Sequence, residues 1–454
     1  MKDVIRFILN TTYDELPEAV VQDAVRALVD TLGVGMSAVQ TELSRIIGTH
    51  AQVMFGGQAA QIWPEGKTAS AAGAALANGM TIDALDAHDG HKLTKGHVGC
   101  GVIPSGIALA QAEGLADARE FLTLVVIGYE IGTRAGIALH RSACDYHTSG
   151  AWVALAAAAM GARILGLDET RAREALGIAE YHGPRSQMMR AIDAPTMVKD
   201  GSGWGAMAGV SAAYLARDGF TGAPAISVEA QDLSDIWSDI GAHWYIQDQY
   251  IKLYPVCRWA QPAAEAVMAL QRDHGFGIEE ITSIRIESFH EAKRLNAMPT
   301  TTEQAQYSLP FSVGAALVAG TIGVDEVMAP GLGDADILRL AHLVQIEETD
   351  AFNNAFPARR FAQAWIGLVD GQTLTSEATE ARGDPEDRVG HDVIREKFLR
   401  LTEPVMGSTK ARDLLSSIEE LANGGDLNSM IAKLSYNAKL QDAGTARVSA
   451  DISQ

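Results

Sequence analysis

The sequence predicts a mainly α protein: a large all-helical domain plus a smaller α/β domain towards the C-terminal end. Three observations carry that expectation. Apolar residues recur at helical spacing through about the first 275 positions. Strand-like runs and an Asp-Gly pair occur only after about residue 276. Helical spacing then returns over roughly the last 60 residues. The chain of 454 residues also exceeds what one core supports, since single cores rarely grow past about 250–300 residues.

In order along the chain, LPEAVVQDAVRALVDTLG places Val20, Val21, Val25, Leu28, Val29 and Leu32 at helical spacing, and Gly33 predicts the helix end. KTASAAGAALANGM, ALAAAAMGARILGL and GSGWGAMAGVSAAYLARDG are rich in Ala and Gly. Small side chains let helix backbones approach, so these segments are expected to pack centrally as a tight bundle. The most apolar segment, FLTLVVIGYEIGTRAGIALH, carries Glu130 and Arg134. It reads as a buried core helix, not a membrane span. ITSIRIESF reads as a strand through Ile284, Ile286 and Phe289. FAQAWIGLVDGQTLTSEATEA reads as a hairpin turning at Asp370-Gly371 through a type I′ turn. A helix is expected between them at QAQYSLPFSVGAALVAG, and two more at VIREKFLRLTEP and ARDLLSSIEELANGGDLNSMIAKL, the last broken at Gly424-Gly425.

The formal charge is −21, from 36 basic and 57 acidic side chains. Such a surface repels phosphate backbones and anionic lipid, so neither nucleic acid nor membrane is an expected partner. An anionic substrate would need the few cations gathered in one place. The three cysteines, Cys100, Cys144 and Cys257, form no CxxC pair. That argues against a disulfide framework and against a four-thiolate metal or iron–sulfur site. The apolar run in MKDVIRFILNTTYDEL is too short for a signal peptide, and a cytoplasmic protein is expected.

One stretch crowds proton-handling groups together. TIDALDAHDGHKLTKGHVGCG holds Asp83, Asp86 and Asp89 with His88, His91 and His97. Three readings compete: a metal site, an acid–base site and a solvated acidic loop. The set His88, Asp89, His91 and His97 suits a metal-dependent hydrolase. Adjacent residues on a helix point about 100° apart, however, so more ligands would have to come from other helices. Glycines at 90, 96, 99 and 101 argue for a loop, with Pro104 opening the next helix. Such loops present side chains into clefts, which favours acid–base chemistry.

Three further loops share this form of a polar residue, small residues, then a helix start. His147 precedes a helix whose N-cap is expected at Thr148 or Ser149. Lys199 lies in APTMVKDGSGWG, and Lys252 and Arg258 lie in YIKLYPVCRWAQPA. Singly, each lysine reads as a solvent-facing cation and His147 as a loop histidine. Together the four loops can line one pocket.

Taken together, NGMTIDALDAHDGHKLTKGHVGCGVIPSG, DYHTSGAWVALAAAAMGARILGL, MVKDGSGWGAMAGVSAAYLARDGFTG, YIKLYPVCRWAQPA, QAQYSLPFSVGAAL and EARGDPEDRVGHDVIREKF resemble the MmgE/PrpD family over nearly the whole chain. The family includes 2-methylcitrate dehydratase, cis-aconitate decarboxylase and iminodisuccinate epimerase. The resemblance implies a helical domain over 1–268, completed by 405–454, an α/β lid domain over 269–404, a homodimer, and a pocket between the domains. It implies chemistry like that of aconitase without an iron–sulfur cluster, and no cofactor. By motif position Asp86, His97 and His147 resemble the family's catalytic residues, and Lys199 and Lys252 its pocket lysines.

Three departures touch the pocket, one of them an extra residue that separates Asp86 from His97. The family often reads D-F-D-D-T where this chain has Asp86-Ala87-His88-Asp89-Gly90. A threonine contact is therefore missing, and His88 is new. Phe311 stands where some members carry tyrosine. The expectation is a lyase or isomerase, a hydro-lyase or epimerase, that abstracts a proton α to a carboxylate of a small di- or tricarboxylate. Its catalytic residues would be His97, His147 and Asp86, with Lys199, Lys252, Arg258 and His88 binding substrate and no metal. The alternatives are the metal-dependent hydrolase and a non-catalytic family member.

Overall fold

The structure, a computed structural model, describes residues 1–436 except Glu65. The part of the expected C-terminal helical stretch beyond 436 lies outside the described residues. The helical body is built from α1 (Glu18–Ala38), α2 (Ala71–Asp83), α3 (Gly99–Glu113), α4 (Ala118–Ser142), α5 (Gly150–Ile164) and α6 (Ser202–Arg217). The C-terminal half adds α7 (Gln261–His274), α8 (Leu309–Ala319), α9 (Ala335–Leu343), α10 (His391–Met406) and α11 (Ser408–Glu419).

The Ala- and Gly-rich segments pack centrally, with α6 against α2 and α5. Their small side chains are a steric requirement. A Cβ on Gly205 would stand 2.2 Å from the carbonyl oxygen of Gly150, and one on Gly203 would stand 2.3 Å from that of Leu76. The apolar helix α4 is buried along its whole most apolar window. Its Glu130 carboxylate lies 3.5 Å from the Arg134 guanidinium inside the body.

Three boundaries differ from expectation. Helix α1 does not stop at Gly33 but runs to Ala38. A Cβ on Gly33 would meet Phe398 Cδ2 at 2.8 Å, so this glycine makes room for α10. Helix α3 starts at Gly99 and carries Pro104 inside it, because its first turn forms on the Val98 carbonyl, which accepts from Gly101 N and Val102 N at 3.1 and 3.0 Å. Helix α10 falls in the stretch assigned to the lid, yet it packs on α1. Its Lys397 Nζ donates to Asp30 Oδ1 at 2.5 Å and to the Ala87 carbonyl at 2.6 Å.

The inserted domain holds a four-stranded sheet of order β4-β3-β5-β6, and a short hairpin, β1 (Ala60–Ile62) with β2 (Lys67–Ala69), lies in the helical body. Strand β3 (Ile281–Ser288) runs parallel to β4 (Val344–Glu348) and antiparallel to β5 (Gln363–Leu368). Helices α8 and α9 lie in the β3–β4 crossover. Ile281, Ile284, Ile286, Ala364 and Ile366 are buried, where α7 packs on β5 and α9 on β3. Strand β6 (Thr373–Thr375) completes the expected hairpin. Its turn is not type I′: Gly371 has φ 87°, and Asp370 is not among the residues of positive φ. Leu368 N donates to the Gln372 carbonyl at 2.9 Å, closing a three-residue loop.

Gly205→Ala should cost about 1–3 kcal/mol, as overpacking of a close helix contact does. The expected result is a clearly lowered thermal midpoint. An unchanged midpoint would contradict the α5–α6 contact.

Candidate active site

The irregular segment between α2 and α3 brings Asp86 and His97 into the interior, where it meets the loops before α6 and α7. Asp86, His97, Lys199 and Lys252 are all buried. Lys252 Nζ is bonded to Asp86 Oδ1 and donates to the Asp86 carbonyl at 3.1 Å. Gln306 ties in Lys199: its Oε1 accepts from Lys199 Nζ at 2.6 Å and from Asp86 N at 2.9 Å. Its Nε2 donates to the Ala84 carbonyl at 3.0 Å, and its own carbonyl accepts from Cys257 N at 2.7 Å. A glutamine from the C-terminal half thus holds three loops together.

The two histidine loops meet at Ser149. Its hydroxyl accepts from His97 N at 2.9 Å and donates to Asp200 Oδ2 at 2.8 Å. Ser149 occupies the N-cap position of α5 but makes no side-chain cap, since its hydroxyl is used in this junction. Both rings are held in the same way. His97 Nδ1 lies 2.5 Å from the Asp89 carbonyl, and His147 Nδ1 lies 2.8 Å from the Asp145 carbonyl. A carbonyl only accepts, so each Nδ1 carries a proton, and the His97 ring, held neutral by burial, keeps a free Nε2 lone pair. His97 Nε2 stands 3.7 Å from both Asp86 Oδ1 and Asp200 Oδ2.

The protonation states are divided by burial and charge. Burial would raise Asp86, but Lys252, then Lys199, hold it well below the usual carboxylate range. Burial pushes Asp83 up to about 6. Burial, with Asp83 and Asp86 nearby, pushes Asp200 up to about 7. Burial, with Lys252 adding to it, holds the His97 imidazole well below its usual value. Lys199 is lowered by burial, against the pull of Asp86. Burial would lower Lys252, but Asp86, with Tyr250 and Cys257, raises it overall. At neutral pH the site therefore holds a neutral base and the Lys252 ammonium beside one firmly ionised carboxylate, with the Lys199 Nζ adjoining them.

Other expected residues go elsewhere. Arg258 spends its donors on the Ala381 and Arg382 carbonyls, at 3.0 and 2.8 Å, and on Asp384 at 2.5 Å. His91 stacks edge-on against Tyr245 at 5.4 Å, and Asp89 accepts from the Tyr129 hydroxyl at 2.5 Å. The set His88, Asp89, His91 and His97 therefore does not form one ligand cage. Among the described residues, the group able to seat an ion is Asp83, His88 and Cys100, within 4.8 Å of one another. Burial holds the Cys100 thiol well above its usual value, and it donates to Ser202 Oγ at 3.1 Å. His88 lies edge-on to His97, with ring centroids 4.4 Å apart, and its Nε2 is 3.4 Å from Asp83 Oδ1. Phe311 is buried in the first turn of α8. A phenol does lie nearby, since Lys199 Nζ sits 4.7 Å from the Tyr307 ring centre.

The MmgE/PrpD N-terminal domain matches residues 2–240 and the MmgE/PrpD C-terminal domain matches 254–423. The chain belongs to the MmgE/PrpD family. It is similar to a cis-aconitate decarboxylase-like protein, oryM, of Aspergillus oryzae (strain ATCC 42149 / RIB 40), at 23% identity over 80% of this chain and 82% of that protein. It is similar to the cis-aconitate decarboxylase of Mus musculus at 24% identity, over 94% of this chain and 92% of that one. The Homo sapiens cis-aconitate decarboxylase is 24% identical over 89% of this chain and 88% of its own.

Sequence reasoning passed over Asp83 as a partner of His88, and it missed Ser149 as a junction, Asp200 and Gln306. Asp200 directly follows Lys199, and Gln306 lies inside the quoted QAQYSLP segment. Asp200 binds its proton more tightly folded than unfolded. Its contribution to stability is therefore full below the unfolded value of about 4 and is lost as pH rises through about 7. Asp200→Asn should flatten the fall of the thermal midpoint between about pH 4 and about pH 7. An unchanged slope would contradict the raised carboxyl.

Proposed function

We propose that this protein is a lyase or isomerase that moves a proton at the carbon α to a carboxylate of a small polycarboxylic acid. The observation that carries the reading is the open Nε2 of His97, held in one tautomer beside two buried ammonium groups. The names of the relatives, cis-aconitate decarboxylases, point to the same substrate class.

His97 Nε2 takes the proton, and the C–H electron pair moves into the carboxylate to give an enediolate. Lys199 and Lys252 face that added negative charge and stabilise the transition state more than the ground state. The ionised Asp86 anchors Lys252 and favours the imidazolium once it forms. Asp200, with its raised carboxyl, is suited to return a proton. His147 Nε2 is the second acid–base group we assign. From the enediolate, loss of a β-hydroxyl gives dehydration, and a proton delivered to the other face gives epimerisation. Decarboxylation uses the same groups, since the electron pair left by departing carbon dioxide needs the same cations and the same proton donor. The residues supply this chemistry without a cofactor in our reading.

His97→Asn should lower solvent deuterium incorporation into the substrate acid by about 10²–10⁴-fold, the usual size of a general-base effect. Cis-aconitate and 2-methylcitrate are the first acids to assay. Lys199→Gln should lower the chemical step with the fold intact, as judged by circular dichroism. Undiminished exchange in both variants would remove the assigned roles.

A further inference from the structure

Seven lysine and arginine side chains are buried among the described residues: Lys92, Arg134, Lys199, Lys252, Arg258, Arg360 and Lys397. Burying a charge is costly unless it is paired. Five of them have a carboxylate within 4 Å: Lys92 and Arg258 with Asp384, Arg134 with Glu130, Lys252 with Asp86, and Lys397 with Asp30. Lys199 and Arg360 take no carboxylate partner among the described residues. Lys199 is already assigned to the site. Arg360 is not, and it meets the same criterion in a chain with 57 acidic side chains to draw on.

Arg360 is 2% exposed. One guanidinium nitrogen donates to the Lys92 carbonyl at 3.1 Å, while Nε is buried with no partner. The adjacent Arg359 points outward and pairs with Glu380, so an acid is within reach of this segment and Arg360 turns away from it. The guanidinium lies 5.3 Å from the Tyr250 ring centre, and the His97 ring lies 6.4 Å from the same tyrosine. The Tyr146 hydroxyl is held well above its usual value by burial, then by Asp200, with Arg360 acting in the opposite sense. Arg360 therefore neighbours the reaction cluster from the side of the inserted domain.

A second unpaired cation shares this place. Lys95 Nζ lies 4.6 Å from the Tyr146 ring centre and 6.0 Å from that of Phe356, and Arg360 also lies 6.0 Å from Phe356. Lys95 forms no ion pair among the described residues. Its backbone is left-handed, with φ 53°, and its carbonyl accepts from the Tyr146 hydroxyl. Glycine would suit that backbone better. A lysine there puts a cation two residues before His97.

We propose that Arg360 and Lys95 form a second carboxylate subsite, which holds the carboxylate remote from the reacting carbon while Lys199 and Lys252 hold the reacting one. The inference rests on the polycarboxylate reading above and makes the substrate a tricarboxylate, or a dicarboxylate long enough to reach both pairs. A guanidinium fits that role because it can hold a carboxylate with two parallel hydrogen bonds.

Calorimetric titration of the full chain with two unreactive acids tests it. Tricarballylate carries three carboxylates, and methylsuccinate is the same skeleton lacking one terminal carboxylate. Wild type should bind tricarballylate at least about tenfold more tightly, the scale of one charge-assisted contact. Arg360→Gln should abolish that preference and leave methylsuccinate binding within about twofold, while Arg360→Lys should keep part of it. Lys95→Gln, at the edge of the subsite, should weaken the preference and serves as the readout if Arg360→Gln fails to fold. A full preference in both Gln variants overturns the subsite, as does equal binding of the two acids by wild type. Wild type that binds neither acid overturns the polycarboxylate reading as well, so the two failures are distinguishable.

Discussion

The buried pair of Asp86 and Lys252 is the constraint on which the site depends. Two charges taken from water are costly, and their attraction offsets that cost only when the remaining donors and acceptors are satisfied. Here the Lys252 ammonium also bonds the Asp86 carbonyl, and the backbone N–H of Asp86 is held by Gln306. Removing either partner would leave an uncompensated charge in the interior. The pair therefore binds the loop before α3 to the loop before α7. Through Gln306 it also binds Lys199 and the C-terminal half to the same point.

The pair also adds to the effect of burial on the protonation states around it. Burial pushes Asp83 and Asp200 towards their neutral forms, and the ionised Asp86 adds to that push. Burial keeps the His97 ring neutral, and the charged Lys252 reinforces it. A base must be neutral to accept a proton, and the cations must be charged to stabilise an enediolate. Burial in a water-poor cluster supplies the larger part of the first condition, and the ion pair adds to it where the effective dielectric is low. The overall charge of −21 makes this concentration of cations a local feature of the fold rather than of the surface.

Much of this was legible in the sequence, for physical reasons. Helical periodicity and small-residue runs marked the body, because packing of α5 and α6 tolerates nothing larger than glycine at Gly205. Asp86, His97 and Lys199 were legible because each sits on a glycine-rich loop that leads into a helix, and Lys252 because its loop leads into the helix start at Pro262. Gly33 and Pro104 misled for different reasons: Gly33 yields to Phe398 of another helix, and Pro104 lies in a helix already started locally on Val98. The partners of Arg258 were invisible, because Ala381, Arg382 and Asp384 lie more than a hundred residues away. Gln306 was equally hidden: a neutral amide carries no local mark of its role as a junction. Arg360 is legible only once the pairing of every other buried cation is known.

The most direct measurement is a crystal structure with a small polycarboxylate bound. The account predicts one carboxylate in contact with Nζ of both Lys199 and Lys252, and His97 Nε2 facing the adjacent carbon. A ligand seated away from this cluster, with both ammonium groups still engaged only by Gln306 and Asp86, would contradict it.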